Sequence, residues 1–402
     1  MGHSGLRYPP FAMVEAKPVK RSSGVSGSHM SRIAIIHNIP IHYKHLLFLE
    51  LARKGLDFEV LFLASGSNGR FEVPDLSSAP YRSRIGFQGR YEELPKCRTL
   101  SYVWRSLSEI QPRAVIIGGW SDVGAWTATF WCIFHGRPSV LWAESNYFDH
   151  PRVFWKELVK TAYLRTFTAA QVYGTTNFRY LSKLGFDPRR IWTKRAVADV
   201  KLFTLGGEVR PRHNSRRVIL FVGRLAPEKN LDFVLEAVER LSSDAKQVLL
   251  LRIVGYGPLE GALRRRADGL GLGDMIEFAG PCAHSELPEV YHTADVVLLP
   301  STSEPWGLTV NEGMLCGLPA IVSDRCGCAA DLVNDGTGWS FNPYDAARFV
   351  QILEKVVAMP LDDLRTMGVN AAALSREYSP ENCARIVMDC VSRTDSSAAK
   401  SP

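Results

Sequence analysis

"DVVLLPSTSEPWGLTVNEGMLCGLPAIVSD", residues 295 to 324, sets two apolar, β-rich runs around a loop and a span of helical character. A continuous apolar strand belongs to a sheet covered on both faces, and two such strands joined through a helix read as a parallel βαβ unit. The loop carries Glu304, Pro305, Trp306 and Gly307. Pro305 and Gly307 resist helix, so the helix is expected to begin near Leu308 or Thr309, with Glu304 ahead of it and Glu312 within its first turns.

The same alternation runs on either side. Upstream stand "RIAIIH" (32 to 37), "FEVLFLA" (58 to 64), "AVIIGG" (114 to 119), "SVLWAE" (139 to 144) and "AAQVYGTT" (169 to 176). After the Gly-, Pro- and Arg-bearing "LGGEVRPRHNSRR" (205 to 217) it restarts with "VILFVG" (218 to 223), "VLLLRIVG" (248 to 255) and "MIEFAG" (275 to 280). Between these, "LDFVLEAVERL" spaces Leu231, Val234, Leu235, Val238 and Leu241 as one helix face, with Asn230 placed to cap it. The pattern predicts two Rossmann-like α/β domains, 31–205 and 206–376, joined by a linker and followed by a helix over 377–395. Residues 1–30 and 396–402 are expected to be disordered.

With 402 residues and 46% hydrophobic content the chain can fill two cores, and its charge of +7 suits an anionic ligand or surface without requiring one. The eight cysteines include no CxxC pair and no histidine at zinc spacing, so they read as free thiols of a reducing compartment. "GAWTATFWCIF" (124 to 134) is too short to span a bilayer, and a cytoplasmic protein is expected. Nothing in the pattern points to nucleic acid.

Open parallel sheets bind ligands beyond the carboxyl ends of their strands, so two facing units would form a cleft between them. After "VILFVG", Gly223 permits close backbone approach, while Arg224 and Lys229 put two cations in one loop. They suit a diphosphate, and equally a solvated loop. In "IVGYGPLEG", Gly255, Gly257 and Gly261 are spaced one residue too long for a dinucleotide fingerprint, and Glu277 lies inside the next strand, not at its end. That disfavours a Rossmann oxidoreductase. Tight packing explains these glycines as well as ligand contact does. The helix start near Leu308 is a ready anion site. Thr309-x-x-Glu312 also spells a capping box that would occupy Glu312 with no ligand, and Glu304 reads equally as a solvated acid.

At this point the chain resembles glycosyltransferase family 4, nucleotide-sugar enzymes of the GT-B architecture. "FVGRLAPEKN", "IVGYGPLEG", "FAG", "LLPSTSEPWGLTVNEGMLCGLPAIVSDRCG" and "LVNDGTGWSF" occur in the family's order, over most of 217 to 343. The resemblance implies that Glu304 meets donor-sugar hydroxyls and Glu312 the ribose. Arg224 and Lys229 would hold the diphosphate, helped by backbone N–H groups of Leu308 and Thr309. Gly223, Gly255, Gly257, Trp306 and Gly307 would complete the donor site. It further implies retention of anomeric configuration, no metal, no cofactor beyond the donor substrate, a carbohydrate or lipid-linked acceptor, and a terminal helix that crosses back to the first domain. A non-catalytic relative that binds sugar nucleotide or a partner is the rival.

Three departures stand out. "HNIPIHYKHL" follows the first strand where the family often has glycines, and its His37, His42 and His45 read as surface or packing residues. "LWAESNYFDH" offers Glu144 and Ser145, with His150 further on, where a histidine is common, and Cys328 replaces a frequent glycine near Asp331. On the acceptor side, "RVFWKELVKTAYLRTF" (152 to 167) gathers Phe154, Trp155, Leu158, Val159 and Ala162 on one arc rimmed by Arg152, Lys156 and Lys160. Such a helix packs on its own sheet or touches an anionic membrane.

Overall fold

A computed structural model describes residues 32–67, 73–148, 152–204 and 216–398. The readings made for 1–30, for His150, for most of the 205–217 linker and for 399–402 fall outside them. Seven parallel strands form the first sheet: β1 (Ile33–His37), β2 (Phe58–Gly66), β3 (Arg82–Arg90), β4 (Ala114–Gly118), β5 (Ser139–Ala143), β6 (Ala169–Val172) and β7 (Ile191–Trp192), in the order β3-β2-β1-β4-β5-β6-β7. Six form the second: β8 (Arg217–Val222), β9 (Leu249–Val254), β10 (Ile276–Gly280), β11 (Val296–Leu299), β12 (Ala320–Ser323) and β13 (Gly338–Phe341), in the order β10-β9-β8-β11-β12-β13.

Alternate residues explain the unbroken apolar runs. Ala34 and Ile36 enter one core cluster while Ile33 and Ile35 enter another; Leu220 and Val222 part likewise from Ile219 and Phe221. Both faces of each sheet are therefore covered, as a doubly wound sheet requires. β3, β7 and β13 have no counterpart in the sequence reading, and all three are edge strands. An edge tolerates charge, and β3 uses it: Arg82 bonds Asp57 and Arg84 bonds Glu59 (3.1 and 2.6 Å).

In each sheet the winding reverses at one place, between β1 and β4 and between β8 and β11, and ligands bind at such a switch point. The two domains share a core at their seam. Tyr173 and Phe203 from the first domain and its connector cluster with Trp306 and Val310, together with Tyr378. Asn146 Nδ2 donates to the Glu304 carbonyl (3.1 Å), and Asp331 accepts from the Thr175 N–H and hydroxyl (2.9 and 2.7 Å). The last helix, Pro380–Ala398, buries Cys383, Ala384, Val387, Cys390 and Val391 with Ile33, Ile35 and Phe48 of the first domain. It runs through 396–398, which had been assigned to a disordered tail.

Asn230 does not cap its helix. It sits in the left-handed region (φ 58°) and turns its amide to the carbonyls of Pro300 and Pro343, 3.4 and 3.2 Å away. All eight cysteines are free thiols, and among the described residues no helix is long and apolar enough to cross a membrane.

Candidate functional site

The loops leaving β8 and β11 carry the first two groups of the site. Lys229 closes a short 3-10 turn, Pro227–Lys229, and its ammonium forms an ion pair with the Glu304 carboxylate; both side chains are mostly buried. Glu304 itself is fixed by backbone: its carbonyl accepts from Gly327 N (2.9 Å) and from Asn146. The helix Leu308–Leu315 starts one turn later, with Gly307 as its N-cap at φ 105° and no side-chain cap bond. A Cβ on Gly307 would overlap Leu299, so both the backbone angle and the space require glycine. The first N–H groups of that helix have no intrahelical partner and carry its positive dipole end.

The remaining predicted residues divide. Arg224 is exposed and pairs with Glu228 (2.6 Å), a surface ion pair that holds it loosely. Glu312 is not part of a capping box: its carboxylate accepts from the Tyr291 hydroxyl (2.9 Å). Burial pushes its acid up to about 7, with the Tyr291 bond and His42 opposing the rise. Trp306, expected against the donor, is a core side chain instead. It is 2% exposed, packs on Tyr173 and Tyr378 and donates to Asn311 Oδ1 (2.7 Å). Gly255 and Gly257 serve close packing between loops, because a Cβ on either would overlap the backbone of Gly223 or Leu225. Gly223 N donates to Val254 O at 3.0 Å in the same contact.

Beyond the first sheet's switch point lies a cleft of about 510 Å³, lined by the ends of β1, β4 and β5 and closed from the second domain by Ser303 and Pro305, the neighbours of Glu304. Neither Glu312 nor Arg224 lines it. At its floor is a polar cluster. Glu144 Oε1 accepts from the Tyr173 hydroxyl (2.9 Å) and from Arg195 (2.8 Å). Desolvation would raise this acid, but Arg195 and Lys44 outweigh it and hold Glu144 at about 2. Lys44 is wholly buried, its ammonium 4.8 Å above the Trp142 ring without a hydrogen-bond acceptor; burial, and then Arg195, push it down to about 7. His37 donates Nδ1–H to the Ile39 carbonyl (3.0 Å), and burial lowers it to about 3, so it is neutral near pH 7.

The three histidines of the first loop part company. His45 bonds the Tyr81 hydroxyl (2.7 Å), while His42 Nε2 meets Asp199 (3.2 Å) beside His284. The candidate ligand atoms of His42, Asp199 and His284 lie within 4.8 Å of one another, and His42 and Asp199 are close enough to Glu312 to act on its titration. Lys44, Arg195 and Tyr291 were missed from sequence. The lysine inside the apolar face of "HYKHLLFLELAR" was the one visible signal.

These two doubly wound domains, with strand-end loops meeting across a cleft, define the GT-B class. Residues 208–373 match the family model of glycosyl transferases group 1. The D-inositol 3-phosphate glycosyltransferase of Gordonia bronchialis is 30% identical over 237 residues, covering 55% of this chain and 51% of that protein. The chain thus spans about half the length of such curated relatives. Among solved structures, sucrose-phosphate synthase of Thermosynechococcus elongatus superimposes with a TM-score of 0.72 at 18% identity, over 91% of this chain and all of that one. HepE of Anabaena, in complex with UDP and glucose, gives 0.69 at 15% identity over 90% of this chain and all of its own. At such identities the likeness concerns the fold.

Proposed function

We propose that the chain is a retaining glycosyltransferase, which moves a hexosyl unit from a nucleotide diphosphate sugar to an acceptor hydroxyl in glycan, polysaccharide or glycolipid assembly. The observation that carries this reading is the Lys229–Glu304 pair, set beside the open helix start at Leu308 and bordering the interdomain cleft. Lys229 and Arg224 neutralise the departing diphosphate, the helix start adds its N–H groups, and Glu304 orients sugar hydroxyls. The leaving phosphate accepts the acceptor proton, so the protein's share is electrostatic stabilisation and alignment of two substrates. Glu312 takes the ribose once the Tyr291 bond is exchanged. No metal is required by this scheme.

Thermal-shift titration with UDP, GDP and ADP sugars, followed by slow donor hydrolysis with the best binder, tests the reading. Binding with no turnover in any acceptor mixture would favour the non-catalytic rival.

A cytoplasmic enzyme working at the membrane surface is the accompanying proposal. In the helix Phe154–Leu164, Phe154 (80%), Trp155 (60%), Leu158 and Val159 are exposed, so the arc does not pack on its own sheet. Lys156 stands beside them, as in helices that lie on anionic lipid.

A further inference from the structure

Two histidines and an aspartate from three separate segments meet at the seam between the domains. His42 opens the helix His42–Arg53 of the first domain, Asp199 precedes the short helix Val200–Thr204 of the connector, and His284 begins the 3-10 turn His284–Glu286 of the second domain. His42 Nε2 and Asp199 Oδ2 stand 3.2 Å apart, and the His42 and His284 ring centroids are 4.7 Å apart. No two of the three ligand atoms are separated by more than 4.8 Å. Atoms bound to one tetrahedral zinc ion lie roughly 3.4 Å from each other, so the first pair is already in place and the third atom needs only a small side-chain shift.

The surrounding contacts suit a ligand set. Asp199 Oδ1 accepts the Leu202 N–H (3.0 Å), which orients the carboxylate and leaves Oδ2 directed at His42, while the His284 ring packs edge-on against Phe203 (5.5 Å, 77°). Outer partners of this kind hold ligands in orientation. The side chains of His42 and Asp199 are 42% and 16% exposed, so an ion can reach the site from solvent. Two imidazoles and one carboxylate form the donor set of an open zinc centre, with a fourth position for water; magnesium and calcium call for oxygen ligands instead. An ion pair accounts for His42 and Asp199 as a couple. It leaves over the second imidazole, carried to the same point by the other domain.

We propose that His42, Asp199 and His284 together bind one zinc ion, which ties the first domain and the connector to the second. The ion takes no part in the transfer, and the inference does not depend on the glycosyltransferase reading.

The test uses the full chain, freed of metal with a chelator, and adds zinc chloride in melting and calorimetric titrations, with cobalt(II) as the optical probe. Zinc should bind and raise Tm, and cobalt should give the intense visible absorption of a four-coordinate site. His42→Ala and His284→Ala should each lower zinc affinity by at least about 100-fold, the upper end of what loss of a supporting partner costs. His135→Ala, a first-domain histidine stacked on Trp131 outside the cluster, should leave it unchanged. Asp199→Asn keeps an oxygen for the Leu202 N–H and should preserve the fold while losing zinc to the same degree; melts without metal check that each variant is folded. A parent chain whose Tm does not rise with zinc, or whose cobalt complex lacks the four-coordinate spectrum, overturns the inference. So does a smaller loss of affinity in either histidine variant, which would mark an adventitious ion only.

Discussion

Lys229 and Glu304 close an ion pair between loops that leave two neighbouring parallel strands, β8 and β11, with each side chain mostly buried. A pair of this kind is weak evidence of stability, because desolvation offsets attraction, but removing one partner strands the other. Lys229→Ala and Glu304→Ala are therefore each expected to lower Tm. Their double variant should be less destabilised than the sum of the two, which a double-mutant cycle of denaturant melts reads directly.

Glu312 gives a pH signature. Its carboxyl titrates at about 7 in the fold against an ordinary 4.5, so between those values the folded state binds more protons than the unfolded one. Stability should decline as pH rises through that window, with the full penalty present above about 7. Glu312→Gln retains an oxygen for the Tyr291 hydroxyl and carries no charge. It should stabilise the unliganded protein by up to about 3 kcal/mol above pH 7, with no gain below pH 4.5, and should weaken nucleotide binding. Parallel Tm against pH curves check the sign.

The seam should respond to single atoms. Asp331→Ala leaves the Thr175 N–H and hydroxyl unpaired, a loss of about 1–3 kcal/mol. Gly174→Ala adds a Cβ that would overlap Asp331 and come within 2.5 Å of Trp306 Cζ3. Both variants should lower Tm, and Gly174→Ala should also reduce donor affinity by displacing the domains, measurable by calorimetric titration.

Gly257→Ala separates packing from ligand contact. The new methyl would overlap the Leu225 carbonyl and lie 2.6 Å from Leu225 N, so stability should fall by more than about 1 kcal/mol even without nucleotide. Unchanged unliganded stability with lost donor binding would return this glycine to the ligand.

How far the sequence carried is visible in particular residues. Strands buried on both faces, such as β1 and β8, announced themselves because Ile33 to Ile36 and Val218 to Val222 are unbroken apolar runs. β3 was hidden, since its arginines are answered by Asp57 and Glu59 from the adjoining strand and its start, a pairing with no local trace. The helix start at Leu308 was legible from Pro305 and Gly307, whose backbone preferences are local. The fate of Trp306 was not, because its neighbours Tyr173 and Tyr378 come from distant parts of the chain. For the same reason the Glu144–Arg195–Lys44 cluster emerged only from the fold. Three segments meet there, and none carries a motif.

The most direct test is donor turnover in Glu304→Ala and Arg224→Ala beside the parent, using whichever of the UDP, GDP and ADP sugars gives the largest thermal shift. Glu304→Ala should lose hydrolysis by at least about 100-fold, the scale of a lost charged contact in a reacting site, while nucleotide binding is largely kept. Arg224→Ala should weaken both. Parental hydrolysis in the two variants would contradict the assignment of the donor site to the loops around Lys229 and Glu304.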